Sequence, residues 1–331
     1  LDATLDMTNI AGTDLQSLEL DSTLLAEFDV ESLHDAGFDV LPAVDELLAA
    51  DTPTTETSSS AAGPVPLADT FSLHSNFGAE HTIYLDFNGH VTSGTPYNST
   101  FTGGSDIVTA AYDFDGDTSS FSDAELERIQ YIWQRVAEDF SPFDVNVTTE
   151  DPTLDGLTRS GSGDTDWGVR VVIGGSGSWY GGGAGGVGYY NAFTASTDIP
   201  VFVFENNLGN GNEKYTAEAI SHETGHALGL SHDGQSGVEY YAGHGSGETG
   251  WAPILGNGYY KNLTQWSQGE YSGANNSQDD LAMITSTSNG FGYRADDFGD
   301  TNSTASLLDI NVSSVFGSGI IETNTDVDVF S

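Results

Sequence analysis

Three histidines and one glutamate stand at spacings that suit a catalytic metal site. They form the motif HETGHALGLSH, which contains His222, Glu223, His226, Gly229 and His232. Residues four apart on a helix share one face, so the first two imidazoles can converge on one metal ion. Gly229 can turn the chain out of the helix and bring His232 round as a third nitrogen ligand. Three imidazoles and one open position are typical of catalytic zinc, and Glu223 can serve as general base on the metal-bound water.

The extended motif resembles the zinc signature of the metzincin endopeptidases. The run HETGHALGLSH is similar to the matrixin version, and Asp233 after it is similar to the reprolysin version. The resemblance implies that zinc is bound by His222, His226 and His232. It also implies peptide hydrolysis in which Glu223 takes a proton from the attacking water.

The same resemblance implies a tight turn beneath the zinc ligands, the Met-turn, which normally carries a methionine. The candidate in this chain is WAPILG at 251–256, where Leu255 stands at the methionine's position, 23 residues after His232. Leucine is close to methionine in volume, so the packing role could survive the exchange at a cost of about 1.5 kcal/mol or less. Met283, in the run LAMI, is expected to be a buried strand or helix residue instead.

Two tyrosines, Tyr259 and Tyr260, follow the proposed turn. Some metzincins place a tyrosine there that binds zinc weakly or stabilises the tetrahedral oxyanion, and the resemblance makes these two residues candidates for that role. Their spacing from Leu255 is longer than the usual two positions. Packing in an aromatic wall is the alternative interpretation.

A glycine-rich stretch at 174–188 runs into the sequence VGYYNAF. The GxxxxGK[ST] pattern of a phosphate loop is absent, and the negative charge of the chain disfavours an anionic ligand. Glycines ahead of an alternating strand suit an edge strand, and metzincins pair extended substrate against such an edge. We therefore expect Gly186, Val187, Gly188 and Tyr189 to bind substrate through their backbone.

Other segments predict the elements that position the motif. Residues 199–204, IPVFVF, predict a buried strand, 206–212 a loop, and helical periodicity then runs from Thr216 into the motif. A capping box at Ser122 and Glu125 begins a second helix, whose apolar stripe is typical of core packing.

An acidic run gives a candidate calcium site. Asp113, Asp115 and Asp117 alternate around Gly116 and resemble the start of a calcium loop. The later bidentate glutamate of an EF-hand is missing, so a plain acidic turn is the alternative. Calcium is thus a second candidate cofactor beside zinc.

Composition limits the partners. The chain has 50 acidic and 7 basic residues, a formal net charge of −43, which would repel nucleic acid and anionic membranes. The excess favours solubility or adaptation to salt. No apolar run is long enough to span a bilayer. We expect a monomer that acts on a protein or peptide substrate.

The chain contains no cysteine, so disulfides and a cysteine switch that would keep zinc latent are both excluded. It begins at Leu1 without methionine, as after removal of a signal peptide or in a fragment. The resemblance and the acidic composition, rich in Gly, Asn and Thr, predict a secreted, extracellular protein.

Three segments differ in character. Residues 1–78 are acidic and include a stretch rich in Thr, Ser, Pro and Ala, as in a pro-region with a tether or a disordered arm. Residues 79–290 form the expected catalytic domain. Residues 291–331 resemble the opening of a bacterial pre-peptidase C-terminal domain, a β-sandwich that this segment is too short to close.

The expected fold is α+β: a twisted mixed sheet, a backing helix, the zinc helix and a loop-rich lower part that carries the Met-turn. The expected function is that of a secreted zinc-dependent endopeptidase. Two alternatives stay open. One is a zinc-binding but inactive adhesin or binding protein on the same scaffold, and the other is a zinc amidase or esterase acting on a non-protein substrate.

Overall fold

The structure is a computed structural model that describes residues 37–44, 65–181, 183–311 and 314–331. The strands are β1 (Phe38–Pro42), β2 (His81–Asp86), β3 (His90–Thr92), β4 (Ile107–Thr109), β5 (Asn146–Thr148), β6 (Trp167–Ile173), β7 (Ala184–Tyr189), β8 (Val201–Val203), β9 (Trp251–Pro253), β10 (Leu263–Gln265), β11 (Asp309–Asn311) and β12 (Ser314–Phe316). The α-helices are α1 (Pro96–Phe101), α2 (Asp123–Asp139), α3 (Glu213–Ala227) and α4 (Asp280–Ile284).

Six strands form one mixed sheet in the order β1-β7-β8-β6-β2-β5. The four strands β8, β6, β2 and β5 are parallel, whereas β7 is antiparallel to β8 and to β1. β2 and β6 are buried along their whole length, as is typical of parallel strands covered on both faces. The predicted α+β class with a mixed sheet is confirmed.

Helices α2 and α3 pack against each other and against one face of the sheet. The capping box predicted for α2 is present, since Glu125 N donates to Ser122 Oγ and Ser122 N donates to Glu125 Oε2. Helix α3 begins after Asn212, whose side chain accepts hydrogen bonds from the first turn. From Thr216 onward α3 is almost wholly buried, which fixes the orientation of the side chains that it presents beneath β7.

Two parts of the segment 1–78 are described, and the rest lies outside the described residues. Residues 65–78 are already packed on the domain: Gln130 of α2 donates to Thr70 Oγ1, and Ser75 N donates to Val147 O. Thr70 is buried, so this stretch belongs to the packed structure although its composition is typical of a tether. Residues 37–44 supply β1, the edge strand of the sheet.

One carboxyl group is buried where the sheet meets α3. Glu205 is 1 % exposed, and its Oε2 makes no hydrogen bond. Burial raises the pKa of Glu205 to about 8, and the nearby charge of Asp113 adds to this rise. The group is therefore neutral below that pH, and the fold must bury a charge once it ionises.

Replacement of Glu205 by glutamine should flatten the pH dependence of stability. A carboxyl whose pKa is raised by folding stabilises the fold below its unfolded pKa, and that contribution is lost as the pH rises through about 8. The free energy of unfolding of Glu205→Gln should therefore be higher than that of the parent by about 2 kcal/mol or more at pH 9, and only slightly higher at pH 5. Denaturant titrations at both pH values measure this, with exposed Glu248→Gln as the control. An equal difference at both pH values would contradict the prediction.

Candidate metal centre

Helix α3 presents two of the three predicted ligands on one buried face. His222 and His226 are 1 % and 0 % exposed, and their ring centroids are 4.8 Å apart. His232 follows the helix, with its ring centroid 5.2 Å from that of His222 and 4.8 Å from that of His226. One nitrogen of each ring lies within 4.8 Å of the other two. This arrangement is compatible with one bound metal ion.

A contact from Nδ1 to an oxygen atom orients each of the three imidazole rings. His222 and His226 each direct Nδ1 at a backbone carbonyl oxygen, so in these two rings Nδ1 carries the proton and Nε2 keeps its lone pair. Both nitrogens of His232 face carboxylate oxygens, Nδ1 that of Glu239 and Nε2 that of Asp39. The Nδ1 distances are 2.8 Å from His222 to Ile254 O, 2.8 Å from His226 to Leu230 O, and 3.0 Å from His232 to Glu239 Oε1. His222 Nε2 is buried without a hydrogen bond, as fits a nitrogen that ligates a metal. The donor set therefore fits zinc.

Gly229 makes the turn that brings His232 round. Its φ is +95°, and its N–H donates to His226 O at 2.9 Å. A Cβ at this position would lie 2.9 Å from Asn191 Oδ1, so that side chain would have to move, and the positive φ favours glycine in its own right. The motif's glycine therefore has a geometric role at the end of α3.

Leu255 lies beneath the helix that carries the ligands. It is fully buried, and a Cβ built on Gly225, between the two helical histidines, would lie 3.1 Å from Leu255 Cδ2. The carbonyl of the preceding residue, Ile254, accepts the hydrogen bond from His222, and Leu255 O accepts one from Asp233 N at 2.8 Å. The turn thus supports the site through both its backbone and its side chain.

Glu223 lies against β7. A Cβ at Gly186 would be 2.6 Å from Glu223 Cγ, and one at Gly188 would be 2.8 Å from Glu223 O. These two glycines let the strand approach the zinc-motif helix closely, which gives a reason for the glycine-rich sequence. Glu223 is fully buried; burial raises the pKa of its carboxyl well above the ordinary value, and the charge of Asp39 adds to the rise.

Strand β1 covers the edge that we expected to be open for substrate. The pairs are Phe38 with Tyr189, Asp39 with Gly188, Val40 with Val187, and Leu41 with Gly186. All four residues predicted to bind an extended substrate thus pair with β1, an extended segment of the same chain.

Asp39 of this strand reaches the histidines. One oxygen is 3.0 Å from His232 Nε2, the other is 3.7 Å from His226 Nδ1, and the Tyr190 hydroxyl also donates to the carboxylate. Burial alone would raise the pKa of Asp39, but the two imidazoles and Tyr190 outweigh it and hold that pKa well below its usual range. A charged carboxylate therefore lies beside His232 Nε2, the nitrogen through which His232 would hold the metal.

The peptide bond between Val40 and Leu41 is held on both sides. The Tyr240 hydroxyl donates to Val40 O, and Leu41 N donates to Glu223 Oε1 at 2.9 Å. The ring centroid of Tyr240 is 4.3 Å from that of His232. Sequence reasoning missed Tyr240 because it lies in a Gly/Tyr loop with no motif of its own.

The predicted tyrosines occupy different places. The Tyr259 hydroxyl donates to Pro42 O at 3.0 Å, and the half-buried ring of Tyr260 lies 6.0 Å from that of Tyr215. Tyr259 therefore lines the cleft around β1. The tyrosines whose rings contact motif histidines are instead Tyr240, against His232, and Tyr190, against His226.

The predicted calcium residues form a turn ahead of α2. Asp113 and Asp115 group with Glu125, whereas Asp117 accepts from Ser119 and Ser120. The Asp113, Asp115 and Glu125 carboxylates accept backbone N–H groups of the turn and of the capping box. These bonds are compatible with an acidic turn, and Asp113, Asp115 and Glu125 could also hold a metal ion, so both interpretations stay open.

Comparisons with protein-family models, curated proteins and solved structures gave no match. Among the described residues, no helix is both long and apolar enough to cross a membrane. Any assignment of activity therefore depends on the motif and on the geometry of the site.

Proposed function

We propose that this chain is a zinc-dependent endopeptidase of the metzincin type. One observation carries the proposal: an extended peptide lies beside the three histidines with one of its peptide bonds between Glu223 and Tyr240. A site built only to bind metal has no use for a buried carboxylate at the nitrogen of a peptide bond. The pairing of β1 with β7 also favours a peptide over a small ester or amide substrate.

Glu223, Tyr240 and the zinc ligands would each have a different role in hydrolysis. Zinc, when bound, would supply a Lewis acid that polarises the scissile carbonyl and lowers the pKa of water toward ~7. Glu223 accepts the proton of the attacking water and then passes it to the leaving amine. The position of Leu41 N, 2.9 Å from Glu223 Oε1, marks where such a leaving nitrogen would lie. Tyr240 donates to the carbonyl oxygen as negative charge develops there.

The two faces of β1 indicate which substrate side chains the cleft takes. Phe38 is 1 % exposed, with its ring centroid 5.1 Å from those of Tyr97, Phe101 and Tyr189. Leu41 is 2 % exposed and belongs to the main core cluster. The proposed substrate is an extended peptide with an aliphatic residue after the scissile bond and an aromatic residue three positions before that one.

In this arrangement the enzyme is latent. Residues 37–44 fill the cleft, and the Asp39 carboxylate lies where it competes with water for the metal. This role replaces the cysteine switch that the cysteine-free sequence excludes. Cleavage or release of the segment would then be required for activity.

Zinc analysis and a peptidase assay test the proposed function. The purified chain should contain about one zinc per molecule, bound by one three-histidine site. After zinc loading, Asp39→Ala should cleave an internally quenched peptide that contains Phe and Leu at the stated spacing. Chelation with 1,10-phenanthroline should abolish cleavage, and added zinc should restore it. A zinc-loaded protein that cleaves neither this peptide nor casein after residues 37–44 have been released by proteolysis would refute the proposal.

A further inference from the structure

Two parts of the C-terminal segment bring their carboxylates together. Asp296, Asp297 and Asp300 come from a turn at its start, and Glu322 and Asp326 come from a turn near its end. These residues form two groups that share Asp296, and within each group one oxygen per residue lies within 4.8 Å of the others. Residues 296–331 contain seven acidic residues and no lysine or arginine.

Glu322 makes this cluster different from an ordinary acidic patch. It is 4 % exposed, and both of its carboxylate oxygens are buried without a hydrogen-bond partner. Asp326 Oδ1 is buried without a partner as well. Buried carboxylate oxygens are costly to leave unpaired, so the site lacks a group that would satisfy them.

Nearby protein groups do not neutralise the cluster. None of its five carboxylates has an ion pair within 4.0 Å among the described residues. Arg294 is near enough to feel the charges of Glu322 and Asp297, but its guanidinium donates to the carbonyls of Phe143 and Ser75. The cluster therefore has no basic partner among the described residues, and burial, together with the neighbouring Asp326, raises the pKa of Glu322 to about 7.

Contacts that tie the two turns together hold the cluster in place. Ile320 N donates to Asp297 Oδ2 at 3.2 Å, and Glu322 N donates to Asp326 Oδ2 at 2.9 Å. The rings of Phe298 and Phe330 are 4.7 Å apart. The carboxylates thus meet although their mutual repulsion opposes this packing.

We propose that this cluster binds a calcium ion that joins the turn at 296–300 to the turn at 322–326. The donors are all oxygen atoms, several of them charged, which suits a hard cation such as calcium and not zinc. The site is separate from the three-histidine centre and from the acidic turn at Asp113. Its expected role is to hold the two ends of the C-terminal segment together.

Calcium titration of the zinc-loaded full chain tests the site. We expect calcium to bind with a Kd of about 10⁻⁴–10⁻³ M or tighter, and to slow amide hydrogen exchange in the two turns. Glu322→Gln keeps the side-chain volume but removes a charged ligand, so calcium affinity should fall about tenfold or more. Asp326→Asn should weaken binding in the same direction.

Asp113→Asn is the matched control, because it removes a carboxylate from the other acidic cluster. It should leave calcium affinity and exchange in the C-terminal turns unchanged. Absence of binding at 10 mM calcium, about tenfold above the weakest expected Kd, would overturn the proposal. So would unchanged affinity in Glu322→Gln. A calcium-independent exchange rate in both turns would overturn it as well.

Discussion

Glu223→Gln should lower kcat for peptide hydrolysis by about 10³-fold or more, while the protein keeps its zinc. A correctly positioned general base contributes about 10²–10⁴-fold to rate, and this one would act in both the attack and the proton delivery. Glutamine fills the same space against Gly186 and can still accept the hydrogen bond that Leu41 N now donates. It cannot take a proton from water. Steady-state kinetics are measured on protein from which residues 37–44 have been released. Zinc content, measured in parallel, separates the loss of chemical rate from a loss of metal.

The matched control for this substitution lies on the same helix. Glu218→Gln removes a carboxylate that accepts from Lys214 Nζ at 3.0 Å. It should change stability slightly and leave kcat near that of the parent. If Glu223→Gln kept more than a tenth of the parent's kcat, Glu223 would not be the general base and hydrolysis would need another explanation.

Local sequence patterns predicted much of the structure around the three histidines. The i, i+4 histidines and the glycine after them predicted a helix that ends in a turn, because these signals act within a few residues. The capping box at Ser122 predicted where α2 begins for the same reason. The run IPVFVF at 199–204 predicted a buried strand, since its apolar residues leave no polar face for solvent, and β8 is buried along its whole length.

Contacts between distant parts of the chain were not predictable in this way. Leu41 and Glu223 are separated by 182 positions, and Tyr240 and Val40 by 200. No periodicity or spacing relates such residues, and a single sequence carries no pairwise signal. The acidic composition of residues 1–78 therefore predicted a pro-region or a disordered arm, but not that Asp39 would lie beside the histidines. The sequence predicted that the tyrosine beside the histidines follows the turn at Leu255, at Tyr259 or Tyr260. In the structure Tyr240, which precedes that turn, lies against His232.

The glycines of β7 were predictable in part from local sequence and in part only from long-range packing. The sequence predicted an edge strand from the glycines at 185, 186 and 188, and β7 does lie next to the edge. The sequence does not show why these positions must be glycine, because that depends on how close α3 comes to β7. Only the packed structure shows that a methyl group at Gly186 would overlap Glu223.

Asp39→Ala should raise the initial peptidase rate of the full-length, zinc-loaded chain about tenfold or more. Ordered contacts with His232, His226 and Tyr190 would be lost, and with them the carboxylate that competes with water at the metal. The remaining backbone pairing with β7 would hold the segment more weakly, so substrate could displace it. Progress curves recorded before any cleavage of the segment, checked by mass spectrometry, give this rate.

Exposed Asp69→Ala is the control for loss of a negative charge in the same part of the chain, and its initial rate should match that of the parent. A synthetic peptide of residues 37–44 should inhibit the Asp39→Ala protein, and the same peptide with alanine at position 39 should inhibit it about tenfold less. The two results must agree, because both measure competition by one carboxylate for one site. Equal initial rates for the parent and Asp39→Ala would mean that backbone pairing alone keeps the cleft closed, and Asp39 would then have no part in latency.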